Sequence, residues 1–288
     1  MAKRGGVRIP GANLARAAIR PETIPGHLRE AASLAITAAV YPFGRVDRGL
    51  HDLRRRLQEH EGDTSTPVLL VHGYGANKSN WFFLERELRN AGFGVIHALN
   101  YNPLRADVPA LAEACRQRAH ELIEHTGAEH VHLIGHSLGG IVARYAVQMA
   151  GLDEAATCIT VASPHRGAPL AAFARGGTAA QLRPGSDVLA RLSASSRRLP
   201  TRFVAYYSNL DLLVPGWRAM ITEPSLRATN ILVKDEGHLS IMLSRRLADS
   251  VATQLAAAEG LPGYGTPVEA LAGAGDVARL WTAGEKAS

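Results

Sequence analysis

Cysteine is scarce: Cys115 and Cys158 are the only two in 288 residues. Both fall inside apolar periodic segments, so the sequence predicts two buried free thiols and no disulfide framework. A membrane-spanning run is missing as well. The uncharged stretch from Ala31 to Gly44 is shorter than the roughly 20 residues that cross a bilayer. It suits either a packed helix or an interfacial one, which leaves peripheral contact with a membrane open. Nor is there a clear secretion signal. Lys3 and Arg4 give a basic start, but Gly5 to Gly26 supplies no apolar core and no Ala-x-Ala site after one. A cytoplasmic location, with or without that peripheral contact, is the expectation. Aromatic residues make up only 6%, and a formal charge of +6 arises from 32 Lys and Arg against 26 Asp and Glu. The arginines are scattered rather than interleaved with aromatics, which argues against a nucleic-acid partner. Internal repeats and a Gly-x-Gly-x-x-Gly dinucleotide fingerprint are both lacking, and no feature specifies an oligomeric state.

What is present is concentrated in Val131-His132-Leu133-Ile134-Gly135-His136-Ser137-Leu138-Gly139-Gly140. Val131, Leu133 and Ile134 form a short apolar run of the kind that makes a buried strand. Ile141, Val142, Tyr145, Ala146 and Met149 then follow at helical spacing. A Gly-x-Ser-x-Gly turn between a strand and a helix is the context of a nucleophile elbow. So tight a turn holds the serine in an unfavourable backbone conformation, and bulky flanking residues would clash with the strand and helix. The Leu138 N–H, at the helix N-terminus, is left free to meet an anion.

The rest of the chain alternates in the same way. Strands are predicted at Val68–Val71, Gly94–Leu99, Cys158–Ala162, Arg202–Tyr207 and Ala228–Val233. Amphipathic helices are predicted over Trp81–Leu88, Val108–Ile123 and His238 to about Ala258. That order implies an α/β fold: a mostly parallel sheet of about six strands with helices on both faces. Residues 1–64 read as an N-terminal helical extension, with helices at His27–Val40 and Gly49–Glu61. Residues 65–258 read as the main α/β domain, and 259–288 as a loosely docked tail. The insertion at 165–200 carries Leu170, Phe173, Leu182, Leu189 and Leu192, which suit an acyl-binding lid or ordinary helix core equally.

In parallel sheets ligands bind beyond the carboxyl ends of the strands. His72-Gly73-Tyr74, Ser137, Asp211 and His238 all fall at such ends. A serine hydroxyl needs an adjacent imidazole base, and that imidazole needs a carboxylate to fix its tautomer. His238 follows the last strand and is the best base. By contrast, His136 should point away from the serine, His165 comes in the wrong order, and His72 suits turn shaping. Asp211, just past the fifth strand, is the preferred acid over Asp235 and Asp187, whose simplest roles are turns and caps. The oxyanion donors are assigned to the N–H groups of Leu138 and Tyr74, with Gly73 as the alternative to Tyr74. His130, His132 and His136 would have to converge from a strand and a turn, so no metal is expected.

Val71-His72-Gly73-Tyr74-Gly75, Gly135 to Gly140, Ala162-Ser163-Pro164-His165-Arg166-Gly167, the Asp211 turn and Gly237-His238 together resemble the bacterial α/β-hydrolase lipases. The resemblance covers about residues 65–258. It implies hydrolysis of carboxylic esters, often acylglycerols, without a cofactor. In that scheme Ser137 is the nucleophile, His238 the base, Asp211 the acid, and Tyr74 and Leu138 the oxyanion donors. An acyltransferase or thioesterase would use the same triad, and a non-catalytic hydrolase-fold binding protein would have no use for it.

Overall fold

Val68-Leu69-Leu70-Val71 is apolar at every position because both of its faces are covered. In the computed structural model, which describes residues 24–44, 66–173 and 177–261, all four are fully buried. Leu69 and Val71 face one core cluster, and Val68 and Leu70 face the other. Successive side chains of a strand point to opposite faces, so a strand between two helical layers must be apolar throughout.

The described elements are α1 (Ile24–Val40), β1 (Val68–Val71), α2 (Phe82–Asn90), β2 (Ile96–Leu99), α3 (Val108–Thr126), β3 (Val131–His136), α4 (Leu138–Gln148) and β4 (Ala155–Val161). They continue with α5 (Gly177–Gln181), α6 (Asp187–Ala194), β5 (Arg202–Tyr207), α7 (Gly216–Ala219), β6 (Thr229–Leu232) and α8 (Arg245–Ala258). The six strands run in the order β2-β1-β3-β4-β5-β6, and every neighbouring pair is parallel. This is the architecture the sequence implied. From β1 the chain steps outward to β2, then returns to place β3 on the opposite side of β1. The reversal opens a crevice at the carboxyl ends of β1 and β3, where open parallel sheets bind ligands.

Helices α3, α4 and α6 close one face around Leu111, Leu122, Ile141 and Leu192. Helices α2 and α8 close the other around Trp81, Leu84, Leu247 and Val251. The ends of α3 follow from local chemistry. Asp107 accepts the Ala110 N–H at its start, and Gly127 terminates it in a left-handed conformation at φ 71°. Cys115 and Cys158 are free and buried.

One sequence expectation changes, and one open alternative narrows. The closing helix starts at Arg245, not at His238, because a 3-10 turn over Ser240–Leu243 comes first. His238 therefore sits in a loop, free of helical geometry. In the 165–200 insertion, Leu182, Leu189 and Leu192 belong to the core cluster, which is the helix-core alternative. Leu170 is exposed, and the Phe173 side chain lies outside the described residues. The helix expected at Gly49–Glu61 and the tail beyond Leu261 lie outside them too. Among the described residues, no helix is long and apolar enough to cross a membrane, and no His, Cys, Asp or Glu cluster could hold a metal ion.

Candidate active site

The elbow's glycines are where a Cβ cannot go. A Cβ on Gly135 would lie 2.4 Å from the Gly139 carbonyl, and one on Gly139 would lie 1.9 Å from the Val71 carbonyl oxygen. One on Gly140 would lie 2.0 Å from Ser163 Oγ, so the glycine there leaves room for the buried Ser163. Between them Ser137 adopts φ 54° and ψ −121°, a strained conformation for an L residue. Its backbone N–H is anchored on the Val161 carbonyl at 2.9 Å. The side chain is thereby lifted off the end of β3, ahead of the first turn of α4.

Ser137 Oγ lies 3.0 Å from Nε2 of His238, and Nδ1 of His238 lies 2.8 Å from Oδ2 of Asp211. A carboxylate only accepts, so Nδ1 carries the proton and Nε2 is left to accept from the serine hydroxyl. The other Asp211 oxygen accepts the N–H groups of Leu213 at 2.9 Å and Val214 at 2.8 Å. Asp211 and His238 are buried, so this chain of hydrogen bonds is shielded from competing water. Asp235 is not part of it. In a left-handed conformation at φ 63°, it exchanges hydrogen bonds with Asn209 at 2.7 and 3.3 Å. Asp187 lies in the first turn of α6, a helix-end role.

The remaining histidines divide as the sequence suggested. The His72 ring stacks on Tyr101 with centroids 4.1 Å apart. Its Nε2 accepts the Tyr101 N–H at 3.4 Å, so Nδ1–H donates to the Gly73 carbonyl at 2.9 Å. Burial lowers its pKa to about 4, which keeps it neutral and shapes the turn after β1. His136 points away from the serine. Its Nδ1 pairs with the Asn80 amide at 3.2 Å, and its Nε2–H donates to the His238 carbonyl at 3.0 Å. Burial lowers its pKa to about 3, with the neighbouring His238 adding to the effect. His165 is buried against Thr160 and Arg144, and burial first, then the arginine, holds its pKa well below the usual value.

The loop after β1 runs against the elbow: a Cβ on Gly73 would lie 3.1 Å from Ser137 Cβ. Leu138 opens α4, and the N–H groups of a helix's first turn have no intrahelical partner. A cavity of about 430 Å³ opens beside this loop, lined by Tyr41, Tyr74, Asn77, Asn100, Tyr101 and Leu104 among others.

Two groups escaped the sequence reading. Arg144 is fully buried in α4 and pairs with Glu223 at 2.6 Å. A lone arginine on an otherwise apolar helix was the available signal, since buried charge demands a partner. The other is Glu30, the only carboxylate in α1, which reaches the loop of His238. Nothing in its local sequence indicated that.

Comparison with known proteins agrees with this fold. A model of the alpha/beta hydrolase family matches residues 68–283. A triacylglycerol lipase of Pseudarthrobacter phenanthrenivorans is 31% identical over 118 residues, 38% of this chain and 36% of the relative. One from Pseudomonas fragi is 34% identical over 118 residues, 38% of each chain. The matched segments thus span little more than a third of these relatives. Among solved structures, mature Bacillus licheniformis lipase BlEst2 superposes with a TM-score of 0.54 at 19% identity, covering 64% of this chain and 89% of that one. Aspergillus fumigatus lipase B gives 0.60 at 16%, covering 72% and 55%. The sheet order, the strained serine after β3 and a family match over most of the chain lead to one assignment: this chain belongs to the alpha/beta hydrolase family.

Proposed function

We propose that the chain hydrolyses carboxylic esters, of lipid or acylglycerol type, through an acyl-enzyme on Ser137. The observation that carries this reading is the unbroken sequence of hydrogen bonds from Ser137 to His238 to Asp211, at 3.0 and 2.8 Å. His238 Nε2 takes the hydroxyl proton as Ser137 Oγ adds to the ester carbonyl. Asp211 holds the Nδ1–H and stabilises the imidazolium. The tetrahedral oxygen is met by the N–H groups of Leu138 and Tyr74, donors that need no reorganisation. Collapse expels the alcohol, which takes its proton from His238. Water then repeats the sequence on the acyl-enzyme and releases the acid and the free serine.

Apolar surface around the site supports a lipid-like substrate. Leu212 and Leu213, immediately after Asp211, are exposed, as are Trp217 and Tyr74. Lipase relatives over 118 residues point the same way. A serine-directed fluorophosphonate should label Ser137 in the native protein, and p-nitrophenyl esters of increasing chain length should be hydrolysed. Absence of both labelling and turnover in the folded protein rejects the reading.

A further inference from the structure

The N-terminal helix α1 lies outside the region matched by the family, which begins at residue 68, yet it reaches all three loops around the site. Glu30 Oε1 accepts the Leu239 N–H at 2.9 Å, and Oε2 accepts the N–H groups of Leu239 at 3.0 Å and Ser240 at 2.8 Å. Gly26 packs so closely that a Cβ there would lie 2.3 Å from Leu210 Cδ1, next to the acid, and 3.1 Å from the Asp235 carbonyl oxygen. Just past α1, the Tyr41 carbonyl accepts from the Asn77 side chain at 2.8 Å, on the loop that carries Tyr74.

Glu30 makes the most specific of these contacts. The peptide unit joining His238 to Leu239 presents one carbonyl and one N–H. Its carbonyl accepts His136 Nε2–H at 3.0 Å, and its N–H goes to the Glu30 carboxylate. One peptide plane is therefore held from both sides, by the elbow and by α1, and the imidazole hangs from it. Gly237 shows how tightly the carboxylate is seated, since a Cβ there would lie 2.3 Å from Glu30 Oε2. Arg29 reinforces the same loop, donating to the Asp235 carbonyl and lying 3.5 Å from the Glu236 carboxylate.

We infer that Glu30 is a positioning residue for the hydrolysis: it fixes the His238–Leu239 peptide so that Nε2 stays in line with Ser137, which makes α1 part of the active site. This rests on the serine-hydrolase reading above. Misplacing a catalytic group by about 1 Å costs on the order of 100-fold in rate. A group that acts only through the base should lower kcat and leave ground-state binding unchanged.

The test uses the full chain, with p-nitrophenyl butyrate turnover and the rate of fluorophosphonate labelling as readouts. Glu30→Ala, matched to wild type by near-ultraviolet circular dichroism, should lose about 10- to 100-fold in kcat, with KM within about twofold. Glu30→Gln keeps one acceptor oxygen and the side-chain volume; it should fold and recover part of that loss. Gly237→Ala places a methyl where the carboxylate sits and should impair kcat in the wild-type background. In Glu30→Ala the space is vacant, so the same change should add little. Losses that multiply, or a folded Glu30→Gln and Glu30→Ala both within about twofold of wild type, overturn the inference. If wild-type Ser137 is itself unreactive to the fluorophosphonate, the hydrolase reading fails first and carries this inference with it.

Discussion

The elbow and the loop of His238 hold their residues in place by opposite means. From Val131 to Gln148 every residue but Ser137 is buried, and the turn is fixed by its own glycines and the adjoining ends of β1 and β4. The base loop, in contrast, has exposed residues at Lys234 and Asp235. Its geometry depends on Asp211, His136 and Glu30, all distant in sequence. A serine can be positioned by a local motif, whereas this imidazole is positioned by contacts distant in sequence.

That contrast can be broken most severely at the serine. Ser137→Ala keeps the turn, because alanine is smaller, and should lower kcat by about 10⁴-fold or more, the usual loss for a triad member. Ester turnover at matched folding checks this. A folded variant retaining a tenth of wild-type activity would reject the mechanism. On the base side, Asp211→Asn presents an amide to Nδ1 and inverts the tautomer, for a loss of about a thousandfold or more in kcat. Asp235→Asn should stay within about tenfold, since the Asp235 carboxylate accepts from Asn209 while His238 is held by Asp211. If the two results are exchanged, the acid has been misplaced.

Gly139→Ala tests the elbow's self-sufficiency. Its Cβ would lie 1.9 Å from the Val71 carbonyl oxygen, and backbone on both sides cannot yield easily. The expected cost is about 3 kcal/mol, the upper end of typical overpacking, read from a denaturant melt. A melt unchanged from wild type would show that the turn is looser than its contacts imply.

Acid should act more gradually, through the elbow and the turn after β1. His72 and His136 titrate near pH 4 and 3 in the folded protein because burial opposes their charged forms, against about 6.5 when unfolded. Above pH ~6.5 neither state is protonated at these sites. As pH falls below that value the unfolded chain takes up protons the folded chain refuses, so stability drops. Each histidine contributes up to about 1.4 kcal/mol per pH unit, until the folded pKa is reached. Replacing His72 with asparagine should flatten the decline in melting temperature between pH 6.5 and 4, values set by the same titrations. An equally steep decline in that variant would remove His72 as a cause.

The same contrast explains what could be read in advance. The parallel sheet was legible because strands covered on both faces must be apolar at every position, as in Val68–Val71. The serine was legible because a tight strand-to-helix turn tolerates only glycine beside it. His238 and Asp211 could be singled out by their places after the last two strands, with Asp235 and Asp187 as rivals for the acid. The start of the closing helix was misjudged because the apolar stripe of Leu247, Val251 and Leu255 carries no mark of where it begins. Glu30 was invisible for a deeper reason. Its partners are main-chain N–H groups, which every residue but proline possesses, so no side-chain pattern at 239 or 240 announces them.

The hydrogen bond between Glu30 and Leu239 joins residues 209 positions apart. During synthesis at about 5–20 residues per second, α1 leaves the ribosome on the order of 10–40 s before residue 239 exists. Throughout that interval Leu28, Leu34 and Ile36, exposed even in the finished fold, stand beside a carboxylate and a glycine with nothing to grip. Newly made protein should therefore gain the N-terminal docking and enzymatic activity together, only after residues 239 and 240 have been made.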